Sequence, residues 1–269
     1  MQPDGNIFVG DVEEGDIWVF PAGHPHSIQG LGPDGCEFLL VFNQGHFSED
    51  DTVLLSEWLA RTPAEVLAKN MKLDEAEIEK LPKDQLYIFA SDVPQSIEAD
   101  KAAIGQGRLS QAQYTLKLKT MAPTKTTTGG EVRVVDSRNF PISQHLAAAL
   151  VIVKPGGLRE MHWHPQASEW QYYIAGKGRM TVFVPTASSR TVDFNANDVG
   201  YVPAQAGHYI ENTGDTDLIF LETFASEQFS DVSLNNWLRL VPMELAMAHL
   251  NIGEDAIRKI PSEKSEVML

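Results

Sequence analysis

Short apolar runs alternate with polar, glycine- and proline-containing breaks along most of this chain. In the first half, residues 17–20 and 37–42 have the length and the apolar content of strands. Apolar positions then recur with helical spacing over residues 52–60, 63–70 and 74–81. The pattern therefore predicts a few strands followed by three short helices.

The second half follows the same order of strands and then helices, after a loop at residues 122–130. Many short strands separated by Gly and Pro are typical of all-β sandwiches and barrels, and the jelly roll is the class that we expect. The prediction is an all-β fold with two jelly-roll domains, each followed by short α-helices. The predicted strands cover residues 147–153, 169–174, 180–184, 200–202 and 217–224, and the predicted helices 234–249 and 254–260.

An internal repeat organises the two halves. One set of residues recurs at a spacing of 182, and a later set recurs at 179, which a three-residue change within a loop explains. The first set is Asp16, Pro21, His26, Phe42, Phe47 and Ser48, matched by Asp198, Pro203, His208, Phe224, Phe229 and Ser230. The second includes Trp58, Pro63, Glu65, Glu75, Ile78 and Pro82, matched by Trp237, Pro242, Glu244, Glu254, Ile257 and Pro261.

The repeat predicts that the first domain is incomplete. Subtracting 182 from 162, 164 or 169 gives a position before residue 1, so the first copy of the segment around these residues would precede the chain. We therefore expect an incomplete N-terminal domain with a helical extension over residues 1–120. A complete C-terminal domain with its own helical extension is expected over residues 121–269.

Charge and cysteine content narrow the functional classes. The formal net charge is −16, which disfavours binding to nucleic acid or to an anionic membrane surface. It also means that an anionic substrate would need a local positive centre. Cys36 is the only cysteine, so neither an intrachain disulfide nor a cysteine-based zinc site can form. No apolar run is long enough to span a bilayer.

The candidate chemistry lies in the second half. His162 and His164 are two residues apart, so on a strand they point to the same face, while Trp163 points to the other. Glu169 follows shortly after, and His208 comes about forty residues later. Three imidazoles and a carboxylate form a site for a divalent metal, and nitrogen and oxygen ligands without thiolate suit Mn, Fe, Ni or Zn alike.

These residues also carry a family resemblance. The spacing Gly157-x4-His162-x-His164-x4-Glu169-x6-Gly176 resembles the first cupin motif, and Gly200-x2-Pro203-x3-Gly207-His208-x3-Asn212 resembles the second. Residues 159–165, 169–174 and 207–212 are similar to the second domain of the bicupin oxalate decarboxylases. Residues 20–29 and 47–52 are similar to their first domain, so the resemblance covers nearly the whole chain apart from the start of that first domain.

The resemblance implies two jelly-roll cupin domains, each normally holding one Mn²⁺ through three histidines and a glutamate. Carried over to this chain, the intact set of metal ligands is His162, His164, Glu169 and His208. The activity implied is manganese-dependent conversion of oxalate to formate and carbon dioxide, with dioxygen as a co-catalyst.

Three further residues receive catalytic roles from the same resemblance. Arg159 would orient the substrate carboxylate, and Glu222 would donate a proton or support the site. Glu222 stands where the first copy of the repeat has Leu40, which favours a role in the site over one in the fold. Residues 48–52 match a mobile loop of the family's first domain, in which Glu49 would be the proton donor.

Two alternatives remain open at this point. The chain could be an oxalate oxidase that produces hydrogen peroxide, or a metal-binding cupin fragment without turnover. Exposed sheet edges of an incomplete domain favour pairing with another chain, so we expect a homo-oligomer. The first residues show no signal-peptide pattern, and cytoplasmic and secreted locations both stay open.

Overall fold

The computed structural model describes residues 1–84 and 87–269, apart from the side chain of Glu49. The chain divides into two compact units, one formed by residues 1–27 with 96–269 and the other by residues 28–95. This grouping follows spatial proximity, and the sequence-based division at residue 120 stays a prediction.

The larger unit contains all the named strands, which form two six-stranded antiparallel sheets and one two-stranded pair. The strands are β1 Ile17–Trp18, β2 Thr115–Leu116, β3 Lys125–Thr127, β4 Gly130–Val135, β5 Ala147–Val153, β6 Leu158–Trp163, β7 Glu169–Ala175, β8 Lys177–Val184, β9 Ser188–Asn195, β10 Val199–Val202, β11 Gly207–Asn212, β12 Leu218–Phe224, β13 Val232–Ser233 and β14 Val267–Met268.

The two large sheets form the jelly roll that the sequence predicts for the second half of the chain. The first has the strand order β10-β7-β12-β5-β4-β3, and the second has the order β13-β6-β11-β8-β9, with β14 also pairing with β6. The described strands leave both sheets open at their edges. Non-consecutive neighbours such as β7 and β12 are expected of a jelly roll, since its strands cross between two sheets.

The core lies between these sheets. Because successive side chains of a strand point to opposite faces, one face of each strand turns inward and becomes buried. Val151 on β5, Tyr173 on β7, Ile210 on β11 and Phe220 on β12 are completely buried in one apolar cluster. The metal-ligand candidates are carried on the same inward faces.

A second apolar cluster covers the outer face of the first sheet. Leu118, Phe140 and Leu150 are buried there, and Ile17 and Val19 from the start of the chain pack against them. The short pair of β1 with β2, in which Ile17 is aligned with Leu116, holds this segment in place.

Four helices belong to the larger unit: α4 Ile97–Ile104, α5 Leu234–Leu240, α6 Met243–Leu250 and α7 Glu254–Lys259. The prediction of one helix over residues 234–249 is wrong, because the helix ends at Leu240. Pro242 has no N–H to donate and disfavours a helical residue before it, and Val241 accordingly adopts an extended conformation.

The smaller unit contains three helices at the positions that the periodicity predicts: α1 Leu55–Ala60, α2 Ala64–Met71 and α3 Glu75–Ile78. The last of these has a capping box, in which the Asp74 carboxylate accepts a hydrogen bond from the Glu77 N–H and Glu77 accepts one from the Asp74 N–H. No helix in the described part of the chain is long and apolar enough to cross a membrane.

The predicted strand over residues 37–42 is wrong, since this segment forms no described ladder. Its repeat equivalent is β12, which is held between β5 and β7. This chain contains no equivalent of either partner at the 182-residue spacing. A strand without a partner cannot satisfy its backbone N–H and C=O groups, so the apolar sequence alone does not produce one.

Candidate metal centre

The four predicted ligands come from both sheets. His162 lies on β6 and is aligned with His208 on β11, and His164 follows one residue after β6 ends. Two of the three histidines therefore lie in one sheet, and the third directly follows its strand β6. Glu169 is the first residue of β7 in the other sheet. The jelly roll thus brings together residues that are almost fifty positions apart in the sequence.

One ligand atom from each of these residues lies within 4.8 Å of the others, and all four residues are buried. Trp163, which alternates with His162 and His164, is only partly buried and points away. The alternation predicted from the His-x-His spacing is therefore present.

The backbone fixes the orientation of each imidazole. Nδ1 of His162 donates to the Glu160 carbonyl at 2.6 Å, Nδ1 of His164 to the Ser230 carbonyl at 2.9 Å, and Nδ1 of His208 to the Ala206 carbonyl at 3.1 Å. A carbonyl oxygen only accepts, so Nδ1 carries the hydrogen in each ring. Nε2 then presents a lone pair towards the other rings, as a metal ligand must.

A divalent cation fits this cluster. The three Nε2 atoms and Oε2 of Glu169 are buried and make no hydrogen bond, although Oε2 lies 2.8 Å from Nε2 of His208 and 3.1 Å from Nε2 of His164. Buried polar atoms without partners are unfavourable. Convergence of four such atoms is the arrangement that a cation would stabilise.

Hydrogen bonds fix the other carboxylate oxygen of Glu169 on the side away from the histidines. Oε1 accepts from the side-chain amide of Gln171 at 2.7 Å, and the amide oxygen of Gln171 accepts from the Tyr173 hydroxyl at 2.7 Å. This relay leaves Oε2 as the oxygen that faces the histidines. Such outer contacts orient ligands in metal sites.

The electrostatics favour the metal-binding protonation states of His162 and Glu169, whereas burial lowers the pKa of His164 but the neighbouring Glu169 outweighs it and raises that pKa. Burial holds the pKa of His162 well below its usual value, and Arg159 lowers it further. Burial would raise the pKa of Glu169, but the neighbouring His208 and His164 outweigh it and lower that pKa below its usual value. His162 is therefore neutral and Glu169 is ionised near neutral pH.

Arg159 and Glu222, to which the resemblance gives separate roles, lie in contact with each other. Arg159 on β6 is completely buried, and its Nε donates to Oε1 of Glu222 on β12 at 3.3 Å. Burial raises the pKa of Glu222 to about 8, with Arg159 opposing and Glu169 adding to the rise. Oε2 of Glu222 is buried and has no hydrogen-bond partner.

For Glu49, the remaining predicted site residue, the structure describes the backbone but not the side chain. Its backbone begins a short 3₁₀ turn, Glu49–Asp51, but its side chain lies outside the described part of the structure. Its role stays a prediction from the resemblance.

Two carboxylates at the site were not predicted from the sequence. Asp231 and Glu266 both accept hydrogen bonds from Arg159, at 2.9 and 2.7 Å. A signal existed for Asp231, because the 182-residue spacing aligns it with Glu49. No pattern near Glu266 marks it, since its contact with Arg159 bridges 107 positions of sequence.

The opening beside the cluster is small. A cavity of about 10 Å³, room for one water molecule, lies next to His164 and is lined by Gln166, Ser226 and Gln228 among others. Its polar side chains suit a hydrated, polar ligand.

Comparisons with known proteins agree with this architecture. The cupin family profile matches residues 3–79 and 116–258. Oxalate decarboxylase OxdC of Bacillus subtilis is 47% identical over 266 residues, covering 98% of this chain and 68% of that protein. A probable oxalate decarboxylase of Arthroderma benhamiae is 38% identical over 269 residues, covering 98% of this chain and 65% of that protein.

Solved structures give the same result. The structure of Bacillus subtilis oxalate decarboxylase at pH 4.6 has a TM-score of 0.93 and 46% identity, covering 99% of this chain and 69% of that chain. Another structure of that enzyme, with a TM-score of 0.93, comes from work on its Mn(II) centres. The chain spans about two thirds of the length of these relatives. It belongs to the cupin family and, within that family, to the bicupin oxalate decarboxylases.

Proposed function

We propose that this chain is a manganese-dependent enzyme that converts oxalate to formate and carbon dioxide at the site of His162, His164, Glu169 and His208. The observation that carries the proposal is the convergence of four buried, unpaired donor atoms beside a second buried carboxyl group, that of Glu222. The identity to the oxalate decarboxylases supports oxalate as the substrate.

Bound manganese would supply Lewis-acid polarisation of a substrate carboxylate and electron transfer with dioxygen as the co-catalyst. The three histidines and Glu169 would hold it. The bound ion and the Arg159 guanidinium together would provide the local positive centre that a dianion requires in a chain of net charge −16.

Glu222 would supply the proton. In the overall reaction, the carbon–carbon bond of oxalate breaks, carbon dioxide leaves, and the remaining carbon keeps the electron pair and takes up one proton to become formate. A carboxyl group with a pKa near 8 is protonated at neutral pH and can donate that proton. Its unpaired Oε2 is the atom available for the transfer.

Oxidation is the competing outcome. If no proton reaches the remaining carbon, oxalate and dioxygen with two protons would give two molecules of carbon dioxide and one of hydrogen peroxide. The hydrogen bond from Arg159 to Oε1 of Glu222 favours this alternative, since it stabilises the ionised carboxylate.

Product analysis tests the proposal. Purified protein loaded with Mn²⁺ is incubated with oxalate in air, and formate, carbon dioxide and hydrogen peroxide are measured. One formate per oxalate supports the decarboxylase, whereas peroxide without formate supports the oxidase. A manganese-loaded protein that leaves oxalate unchanged would show a metal-binding cupin without turnover. The His162→Ala variant serves as the control for contaminating activity.

We also propose that the chain assembles with copies of itself. Apolar side chains on the helices of the two halves are exposed at positions related by the 179-residue spacing. Trp58 and Trp237 are 66% and 44% exposed, and Val66 and Leu245 are 50% and 56% exposed. Burial of such faces would favour association. Light scattering during size-exclusion chromatography tests this, and a monomeric mass at micromolar concentration would contradict it.

The net charge of −16 disfavours nucleic acid and anionic membranes as partners, because it repels both, and a small dicarboxylate would depend on the local positive charge at the metal site. Absence of a shift with labelled duplex DNA, and absence of sedimentation with phosphatidylserine vesicles, are the expected results.

A further inference from the structure

We propose that Asp231 and Glu266 are positioning residues, which hold the Arg159 guanidinium in the orientation that receives a carboxylate substrate. The inference rests on the proposed function, since it assigns to oxalate the anion that Arg159 would meet. It adds to the site a segment at residues 264–267, which contributes no metal ligand.

The contacts of Arg159 divide into a tightly held end and a loosely held edge. Nη2 donates to Asp231 at 2.9 Å, and Nη1 donates to Oε2 of Glu266 at 2.7 Å and to its backbone carbonyl at 3.3 Å. The Nε contact with Glu222 is longer than either of the two side-chain contacts, at 3.3 Å. Asp231 and Glu266 therefore fix the far end of the guanidinium, and the Nε edge keeps the weakest partner.

That loosely held edge contacts Glu222, which lies on the strand next to the one that carries Glu169. Glu222 on β12 is aligned with Gln171 on β7, and the Gln171 amide donates to Glu169. The edge of Arg159 that contacts Glu222 is thus connected through neighbouring strands to a predicted metal ligand. A substrate carboxylate placed between the metal and Glu222 would meet this edge of the guanidinium.

The tight end belongs to a closed ring of alternating charges. Asp231 contacts Arg159 through Oδ2 and Lys264 through Oδ1, and Glu266 contacts Arg159 through Oε2 and Lys264 through Oε1. Each carboxylate bridges both cations, so the ring of two cations and two anions is neutral. Because every member has two partners, the guanidinium cannot rotate without breaking contacts on both sides.

The backbone at Glu266 is strained in a way that the ring requires. Glu266 has a φ of 64°, in the left-handed region where Gly or Asn would cost less. Its N–H donates to Oε1 of Glu160 at 3.1 Å, and its carbonyl accepts from Arg159. Glu266 thus uses its N–H, carbonyl and carboxylate for contacts around the buried Arg159. An unfavourable backbone conformation persists where such contacts hold it, which supports a role for Glu266 in positioning the arginine.

Neutralisation of the two anchors tests the proposal. Asp231→Asn and Glu266→Gln keep the shape of each side chain and remove its charge. We use Asp193→Asn as the matched control, since Asp193 pairs with the exposed Arg179 at 2.7 Å, away from the cluster. Oxalate binding to the manganese-loaded chain is measured by calorimetry without dioxygen, which prevents turnover.

Both variants should bind oxalate at least about tenfold more weakly than the unaltered chain, the effect of losing one charged hydrogen bond. Their manganese content should be unchanged, and Asp193→Asn should bind normally. The Asp231 side chain is almost completely buried, and removal of its charge leaves buried cations unpaired, so this variant is the one at risk of misfolding. Glu266 is more exposed, with 14% of its side chain accessible, and its variant keeps the test available.

A double-mutant cycle separates positioning from general stability. In an Arg159→Lys background, adding Glu266→Gln should weaken oxalate binding little further, because the guanidinium that it positions is gone. An equal loss in both backgrounds, or unchanged binding in both single variants, would overturn the proposal.

A substrate-free measurement distinguishes this inference from the proposed function. In the zinc-loaded chain with ¹⁵N-labelled arginine, the two Nη groups of Arg159 should give separate NMR signals, which merge in Glu266→Gln as the guanidinium begins to rotate. If the unaltered chain binds no oxalate, the proposed function is wrong. If Arg159 rotates equally in both proteins, the positioning role is wrong whatever the substrate.

Discussion

Oε2 of Glu169 lies 2.8 Å from Nε2 of His208, and neither atom makes a hydrogen bond. Two more unpaired nitrogens, those of His162 and His164, complete the cluster. Each ring is held from its other side by a backbone carbonyl. The four atoms are thus fixed in place with their lone pairs unused.

Metal loading should stabilise the chain, because an ion that binds only the folded state shifts the equilibrium towards it. At a free Mn²⁺ concentration one hundred times the Kd, the gain is about 2.7 kcal/mol. Scanning calorimetry of chelated and loaded protein measures it.

His162→Ala should lose both the metal and this stabilisation, since it removes one of four ligands. His145→Ala, at an exposed histidine outside the cluster, should retain both. Unchanged manganese content in His162→Ala, measured by elemental analysis, would contradict the ligand assignment.

Glu222→Gln should keep the metal and lose turnover. The amide cannot donate a proton as a carboxyl group does, and the loss of a general acid lowers a rate by about 10² to 10⁴. Steady-state formate production measures the effect. Glu211→Gln, an exposed change on β11, should keep the rate of the unaltered chain. A normal rate in Glu222→Gln would remove Glu222 from the reaction.

The stability of the metal-free chain should fall as the pH rises from about 4.5 to about 8 through the contribution of Glu222. Burial raises the pKa of this group from 4.5 to about 8 in the folded state, so the folded chain binds a proton that the unfolded chain has lost. The slope is at most about 1.4 kcal/mol per pH unit.

Urea unfolding of the metal-free chain and of Glu222→Gln, each from pH 4.5 to 8, measures this contribution as the difference between their free energies of unfolding. A difference that does not change with pH would show that the Glu222 pKa is ordinary.

Gly176→Ala should destabilise the larger unit. Gly176 joins β7 to β8 with a φ of 83°, and an added Cβ would lie 2.5 Å from the Asp217 carbonyl oxygen. The left-handed conformation alone costs about 1 to 2 kcal/mol in a residue with a Cβ, and the contact adds to this. Gly107→Ala, where nothing lies within 4 Å, should leave the melting temperature nearly unchanged.

The ligand cluster could be predicted because short sequence patterns mark each of its residues. Two-residue alternation fixes the common face of His162 and His164, and the motif spacing supplies Glu169 and His208. The separate roles of Arg159 and Glu222 came from the resemblance, and their contact was not predicted, because no local pattern marks it. The predicted sites that depend on Glu49 remain predictions.

Errors arose where the outcome depends on distant partners. Residues 37–42 have the sequence of a strand but lack the neighbouring strands that β12 has. The ring that holds Arg159 joins Asp231 with Lys264 and Glu266 of a second segment, and no periodicity connects these two segments to β6. The end of α5 at Leu240 is an error of a different kind, because a nearby residue, Pro242, marks it in the sequence.

The division of the ligands between the sheets has a mechanical consequence. His162 and His208 lie on β6 and β11 of one sheet, and His164 directly follows β6, while Glu169 alone reaches across from β7. An ion bound here would crosslink the two layers of the sandwich through a single carboxylate. Under a stretching force that separates the layers, Glu169 would be the point of rupture, and the three histidines would keep the ion on one half.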